Sequence, residues 1–272
     1  MRGIIEFLNR IMPSFKSLKI YLGLNGFLCL LSIMQYFILG IGLLHSFIAM
    51  LLIMLFRNYV LINIIGLGQK KPIKEETKNF NALKYHLHVL SCSLIEAGTM
   101  SFAIDSFNIQ GSNILYDLVT FIPTSFIFEL TLDFFHYWFH RLLHIKQFYF
   151  IHRTHHTEMN PRPIINFYQH PIETIIVSML PTLLALCITP TQSLFQLILL
   201  LTYKMYIEVA GHAGIVSKPS CSFTQFVFLP KLLAIELYTE DHHLHHALNK
   251  YNYSKRFTLW DKLFGTYKLP TY

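Results

Sequence analysis

The sequence predicts an all-α integral membrane protein: about four transmembrane helices plus a re-entrant or spanning hairpin, beneath a histidine-rich helical cap on the cytosolic face. Three observations predict it. Hydrophobic residues make up 53% of the 272 positions and charged residues 14%, with a mean hydropathy of +0.42, far from the soluble globular average. No side chain from Tyr21 to Phe56 is charged. Twelve of the fifteen histidines lie between His136 and His246.

The uncharged run is too long for one span and long enough for two, because about 20 residues cross a bilayer core. Asn25, Gln35 and the Gly40/Gly42 pair interrupt it, so the turn is expected near Gly40. A basic loop should follow, carrying Arg57, Lys70, Lys71, Lys74 and Lys78. A third apolar segment covers about Tyr85 to Ala103, a turn with Gly111 lies between Asp105 and Asp117, and a fourth segment runs from about Ile114 to Phe139. Ile172–Ile188 and Leu194–Ala210 form an apolar pair broken by Thr189-Pro190-Thr191; being short and proline-containing, it either spans or re-enters.

No Lys or Arg occurs between Lys84 and Arg141, or between Arg162 and Lys204. The positive-inside rule then places every basic loop, both termini and all the histidine clusters on one, cytoplasmic, face. That suits the endoplasmic reticulum of a eukaryote or the inner membrane of a bacterium. The division expected is 1–113 for N-terminal membrane helices and basic loop, and 114–272 for the histidine-rich part.

The +7 net charge is spread through loops without a dense run, which favours an anionic membrane surface over nucleic acid. Phe and Tyr together number 39, suiting lipid-facing and interfacial surfaces. Cys29, Cys92, Cys187 and Cys221 form no C-x-x-C pair and read as small buried hydrophobes in a reducing compartment. The first residues do not read as a cleavable signal, since the apolar stretch is too long and no small-residue cleavage site follows a short core.

His140 and His144 are four apart, one helical turn on one face. His152, His155 and His156 repeat this as i, i+3, i+4, and so do His242, His245 and His246. Neutral imidazole is the commonest metal ligand, and a nitrogen-rich, thiolate-free set suits iron, zinc, copper or nickel. Eight such nitrogens suit two ions. His136 lies on the stripe of His140 and reads equally as a ligand or as an ordinary helix-face histidine. Asp133, on the same stripe, is placed to accept a hydrogen bond from a ligand's second ring nitrogen.

His170 and His212 lie beside spans at the clustered face and are candidates for metal or substrate contact. His243 should point away from its cluster, to the surface or behind the ligands. His45, His86 and His88 read as buried, satisfied histidines. Of the acids flanking the clusters, Glu158, Glu173, Glu240 and Asp241, solvated loop positions are the default, with Asp241 and Glu158 near enough to orient imidazoles. The chain has no H-E-x-x-H, G-x-S-x-G, G-x-x-x-x-G-K or dinucleotide fingerprint, so it brings no nicotinamide, flavin or phosphate site of its own.

With these clusters placed, the chain resembles the fatty acid hydroxylase/sterol desaturase superfamily of membrane-bound non-haem di-iron enzymes. The matching residues run Asp133-Phe-Phe-His136-Tyr-Trp138-Phe-His140-Arg-Leu-Leu-His144, then His152-Arg-Thr-His155-His156, then Asn166-Phe-Tyr-Gln-His170-Pro-Ile-Glu173. Gly211-His212-Ala-Gly214, His242-His-Leu-His245-His246, and the tail from Asn252-Tyr253 through Trp260-Asp261-Lys-Leu-Phe264-Gly265-Thr266 complete the match. It covers about Ile114 to Tyr267; the first 110 residues match only in spanning a membrane.

The resemblance implies two iron ions (with zinc an alternative in purified protein) held by His140, His144, His152, His155, His156, His242, His245 and His246. It also implies molecular oxygen, and electrons from an external cytochrome b5 or ferredoxin-type donor. Trp260, Asp261 and Gly265 would shape the C-terminal cap. The implied reaction is hydroxylation or desaturation of a sterol or fatty acyl lipid, which share the first hydrogen abstraction, with the substrate entering from the bilayer beneath the clusters. The His170-Pro171 and Gly211-His212 patterns lean towards the sterol-desaturase side. Two other readings stay open: a membrane metal-binding or transport protein without oxygenase activity, and a lipid ether-cleaving monooxygenase.

Overall fold

Among the described residues all regular structure is helical, apart from an isolated antiparallel bridge between Glu236 and Phe257. The computed structural model describes residues 15–41, 43, 46–67, 82–109, 111–158, 162–189, 193–214 and 223–270. Lys70, Lys71, Lys74, Lys78, His45, Cys221, Pro190 and Thr191 lie outside them. In chain order the helices are α1 (Phe15–Gly40), α2 (Phe47–Leu67), α3 (Ala82–Ser106), α4 (Ile114–Leu143) and α5 (Tyr149–His156). There follow α6 (Pro171–Ile188), α7 (Leu194–Gly211), α8 (Phe228–Leu232), α9 (Thr239–Leu248) and α10 (Leu259–Leu263). Six of them, α1–α4, α6 and α7, are long and apolar enough to cross a membrane.

Large apolar side chains point outward along these helices: Leu30 is 67% exposed, Ile48 69% and Val119 73%. In water a belt of this kind would be an association hazard; against lipid it is the expected surface of an integral membrane protein. α7 is the most enclosed of the six. Its successive residues Leu197, Ile198, Leu199 and Leu200 are all buried, as expected where a helix is apolar all round and surrounded by others, whereas its later half carries the buried ions Lys204 and Glu208. α1, α2 and α4 pack against it, while α2 pairs with α3 and α4 with α6. Helix starts follow side-chain capping: Asn113 Oδ1 accepts from the Tyr116 N–H at 3.1 Å, and Ser193 Oγ from the Gln196 N–H at 3.3 Å.

α6 is not a uniform helix. Ile175–Met179 form a π-helical turn, a device frequent at functional sites, and Pro181 follows. Proline has no N–H to return to the carbonyl four residues back, and the Val177 carbonyl instead accepts from His136 Nδ1 at 2.8 Å.

Several expectations are corrected here. The uncharged run ending at Phe56 predicts Arg57 in a loop. The residue sits instead midway along α2, 1% exposed, with its guanidinium 2.9 Å from Glu96 Oε2 on α3 and bonded to Asn58 Oδ1. A charge scan stops at arginine, but a carboxylate 39 residues away neutralises this one, which makes it tolerable at membrane depth. Cys187 is exposed rather than buried, and Cys29 half-buried; Cys92 is buried. His86 is exposed, bonded to the Tyr59 hydroxyl at 2.9 Å, while half-buried His88 donates from Nδ1 to the Gln169 carbonyl at 2.9 Å.

Candidate metal centre

α4, α5, α7 and α9 bring nine histidines into two adjoining groups. His140, His144, His152, His156 and His245 form one, and His155, His212, His242 and His246 the other, each with its nitrogens within 4.8 Å of one another. Helical periodicity explains the partition on α5: His152 and His156 are one turn apart and face the first group, while His155, about 100° away, faces the second.

In five of the nine rings the second nitrogen is committed elsewhere, while Nδ1 of His156, His242 and His246 is buried without a hydrogen-bond partner among the described residues. His140 Nδ1 donates to the Tyr253 carbonyl at 2.8 Å, His245 Nδ1 to the Tyr251 carbonyl at 2.8 Å, and His212 Nδ1 to the Glu208 carbonyl at 2.8 Å. His152 Nδ1 donates to Glu173 Oε1 at 2.7 Å, and His155 Nδ1 to the Tyr168 carbonyl at 3.4 Å. These partners fix the tautomer: the proton sits on Nδ1, so each Nε2 presents a lone pair.

Those lone pairs face one another. His140 Nε2 is 3.0 Å from His152 Nε2, and His155 Nε2 is 3.1 Å from His212 Nε2. Neither pair has a proton to share. Two nitrogens each about 2.1 Å from one ion and cis to each other would be about 3.0 Å apart, so a cation between them fits both contacts. The residues present therefore fit two metal ions.

Electrostatics favour the same state. Burial, reinforced by neighbouring imidazoles, holds His152, His155, His156, His242 and His246 well below the usual histidine range. Burial takes His245 down to about 4. The rings stay neutral and ready to ligate at ordinary pH. Because the unfolded chain takes up protons near 6.5 and the folded one only near 4, the unfolded state binds more protons between those values. Stability of the metal-free protein should therefore fall as pH drops from about 6.5 towards 4. Thermal unfolding of chelated protein across pH 7 to 4.5 checks this; a flat midpoint would contradict it.

Some expected site residues land elsewhere. His136 is buried beside His140, ring centroids 5.1 Å apart, but belongs to neither group, and its Nε2 has no partner. His170 is exposed and accepts from the Ile172 N–H at 3.2 Å, capping the start of α6. His212 does join the second group. His243 is buried, 6% exposed, which removes the surface from its two expected positions.

The acids are corrected as well. Asp133 touches no imidazole: its carboxylate accepts from the backbone N–H groups of Lys255, Arg256 and Phe257 at 2.8, 2.9 and 3.0 Å. It thereby pins the loop whose Tyr253 carbonyl holds His140. Asp241 accepts from the Tyr238 N–H at 2.8 Å at the start of α9, and Glu158 accepts from the Tyr85 hydroxyl at 2.7 Å. Glu173 and Glu240 are buried, not solvated.

Glu173 is the functional acid that sequence reasoning missed, since sequence spacing alone does not bring it to His152, 21 positions earlier. Losing such a partner typically costs about 10–100-fold in metal affinity, so Glu173→Ala should weaken retention of one ion by that factor. Competition with a chromophoric chelator measures it; unchanged affinity would leave the carboxylate without that role.

The tail is held beside the site through the Tyr253 carbonyl that accepts from His140. Asp261 accepts from the Tyr253 and Ser254 N–H groups at 2.9 and 2.8 Å and from Thr266 Oγ1 at 2.7 Å. Gly265 adopts φ +69°, a left-handed turn that favours glycine. Trp260 packs edge-on against Phe134 at 5.0 Å. Deeper in, Arg256 is fully buried between Glu129, 2.9 Å away, and Glu208, 2.7 Å away.

A family model described as fatty acid hydroxylase matches residues 125–266. Among curated proteins, the chain is 32% identical over 164 residues to the C-4 methylsterol oxidase erg25 of Schizosaccharomyces pombe, covering 56% of this chain and 52% of the relative. It is 32% identical over 159 residues to the lathosterol oxidase of Homo sapiens, covering 58% and 48%. To the fatty acid hydroxylase vlmA of Lecanicillium it is 32% identical over 152 residues, covering 52% and 40%. The chain thus spans about half the length of these relatives. No solved structure matches it.

Proposed function

The chain belongs to the fatty acid hydroxylase family, and on that premise we propose that it is a membrane-bound oxidoreductase that hydroxylates or desaturates a sterol or fatty acyl lipid. The observation that carries this reading is the convergence of nine imidazoles in two groups, five of them (His140, His152, His155, His212 and His245) held by carbonyl or carboxylate partners on the far side of the ring. Under it, the five-histidine group and the four-histidine group each hold one iron ion. The metal pair, when bound, supplies the oxidising power with molecular oxygen.

The protein's own contribution is positional. Carbonyls of Tyr253, Tyr251 and Glu208 and the Glu173 carboxylate aim the nitrogens. The loop pinned by Asp133 and Asp261 closes over them and excludes water. The six apolar helices hold the lipid's hydrocarbon part beside the site. Arg141, Lys146, Arg153 and Lys250 lie near the histidine end in sequence, consistent with that face being cytoplasmic and meeting an external cytochrome b5 or ferredoxin-type donor. The catalytic part then comprises residues 114–272. The relatives' names, a methylsterol oxidase, a lathosterol oxidase and a fatty acid hydroxylase, favour this lipid class.

Oxygen uptake by the reconstituted protein, with a reduced donor and a sterol- and acyl-lipid mixture, tests the reading. Uptake that needs lipid and stops on chelation is expected. Tight metal binding with no lipid-dependent uptake under any donor would contradict it.

A further inference from the structure

A second polar feature lies within the membrane-spanning part. A cavity between α2, α3, α6 and α7 is lined by the ions Arg57, Glu96 and Lys204 and by the hydroxyl-bearing residues Thr99, Thr174, Ser178 and Thr182. Met54, Ile95 and Leu201 add apolar wall. Ionisable groups at such depth are costly and mark functional sites by default.

The cavity adjoins the helix that serves the histidines. On α6, Glu173 holds His152 and the Val177 carbonyl holds His136, while the neighbouring Thr174 and Ser178 line the cavity. On α7, Lys204 precedes His212 by eight residues, about 12 Å along the axis.

The charges of the lining are already matched. Arg57 pairs with Glu96 at 2.9 Å, and Lys204 with Glu208 at 3.1 Å and Ser178 Oγ at 2.8 Å. Glu208 in turn meets Arg256. A carboxylate ligand would find no unpaired cation and would bring an uncompensated buried charge. A hydroxyl, which both donates and accepts, fits. Glu96 Oε2 already accepts from Arg57 and Asn58, and the lining hydroxyls of Thr99 and Thr182, which donate to backbone carbonyls, keep oxygens that can accept from an entering hydroxyl.

We infer that this cavity receives the hydroxyl group of a neutral lipid alcohol, holding the polar end of the substrate. The inference rests on the lipid-oxidation reading and narrows it: a lipid alcohol rather than a free acid, oxidised within on the order of 10 Å of its hydroxyl, given the spacing along α7.

The test uses the full chain, metal-loaded, in phosphatidylcholine nanodiscs. Saturable binding of radiolabelled cholesterol and octadecanol is compared with that of their methyl ethers and of octadecanoate. At least one alcohol should bind about 10-fold or more tighter than its own ether and than the acid, the worth of one hydrogen bond in a dry site. Thr99→Leu, which fills the cavity, should lower that affinity by a similar factor while bound metal is unchanged. If that variant does not fold, the milder Thr99→Val and the wild-type comparison of alcohol, ether and acid decide the matter. Equal binding of ether and alcohol, preference for the acid, or no saturable binding would overturn the assignment. Alcohol binding without any oxygen-dependent product would sink the oxidation reading but leave the cavity assignment standing. A lipid product with binding indifferent to hydroxyl and variant would do the reverse.

Discussion

His155→Ala should bring bound metal from two ions per chain to about one and reduce lipid product by more than about 100-fold. The reasoning is geometric. The second group has only four histidines, and His155 Nε2 stands 3.1 Å from His212 Nε2 at its centre. Even the loss of a partner behind a ligand costs roughly 10–100-fold in affinity, so the loss of a ligand should exceed that. His144→Ala leaves four nitrogens in the five-histidine group and should be milder in metal content. Metal analysis beside product assay separates the two. If His155→Ala retained both ions, the partition into five and four histidines would be wrong.

The second large effect concerns stability. Arg256 bridges Glu129 and Glu208 with no exposed surface. Removing one partner from a buried ionic cluster typically costs about 3–5 kcal/mol, because the remaining charges lose their compensation. Arg256→Met should therefore unfold the protein or lower its thermal midpoint sharply, and it should loosen His212, whose Nδ1 is held by the Glu208 carbonyl. Adding Glu129→Leu should recover part of the loss. A single variant as stable as wild type would show that the cluster contributes little.

Much of this architecture is legible in the sequence because the relevant signals are local. Apolar runs located α3, α4, α6 and α7 to within a few residues; the i, i+3, i+4 spacing of His152, His155 and His156 put them on one helical face, whereas His155 joins a different group from the other two. What stayed hidden depends on contacts between distant elements. Arg57 looked like the start of a loop because its neutralising Glu96 lies on another helix. Asp133 shares the stripe of His140, yet its carboxylate turns to three backbone N–H groups over 120 positions later. Backbone carbonyls, which orient four of the nine rings, have no sequence signature. Nor does the π-helical turn of α6, although Pro181 was a pointer to irregularity there.

The central claim, oxidation of a membrane lipid at the two histidine groups, is tested most directly by untargeted lipid mass spectrometry of sterol-fed cells. The comparison is wild type against the His155→Ala/His156→Ala double variant, one ligand from each group. The account predicts a lipid alcohol that gains one oxygen, or loses two hydrogens, only with the wild type. Identical lipid profiles, with the wild type well expressed, carrying two metal ions and supplied with a competent electron donor, would contradict it.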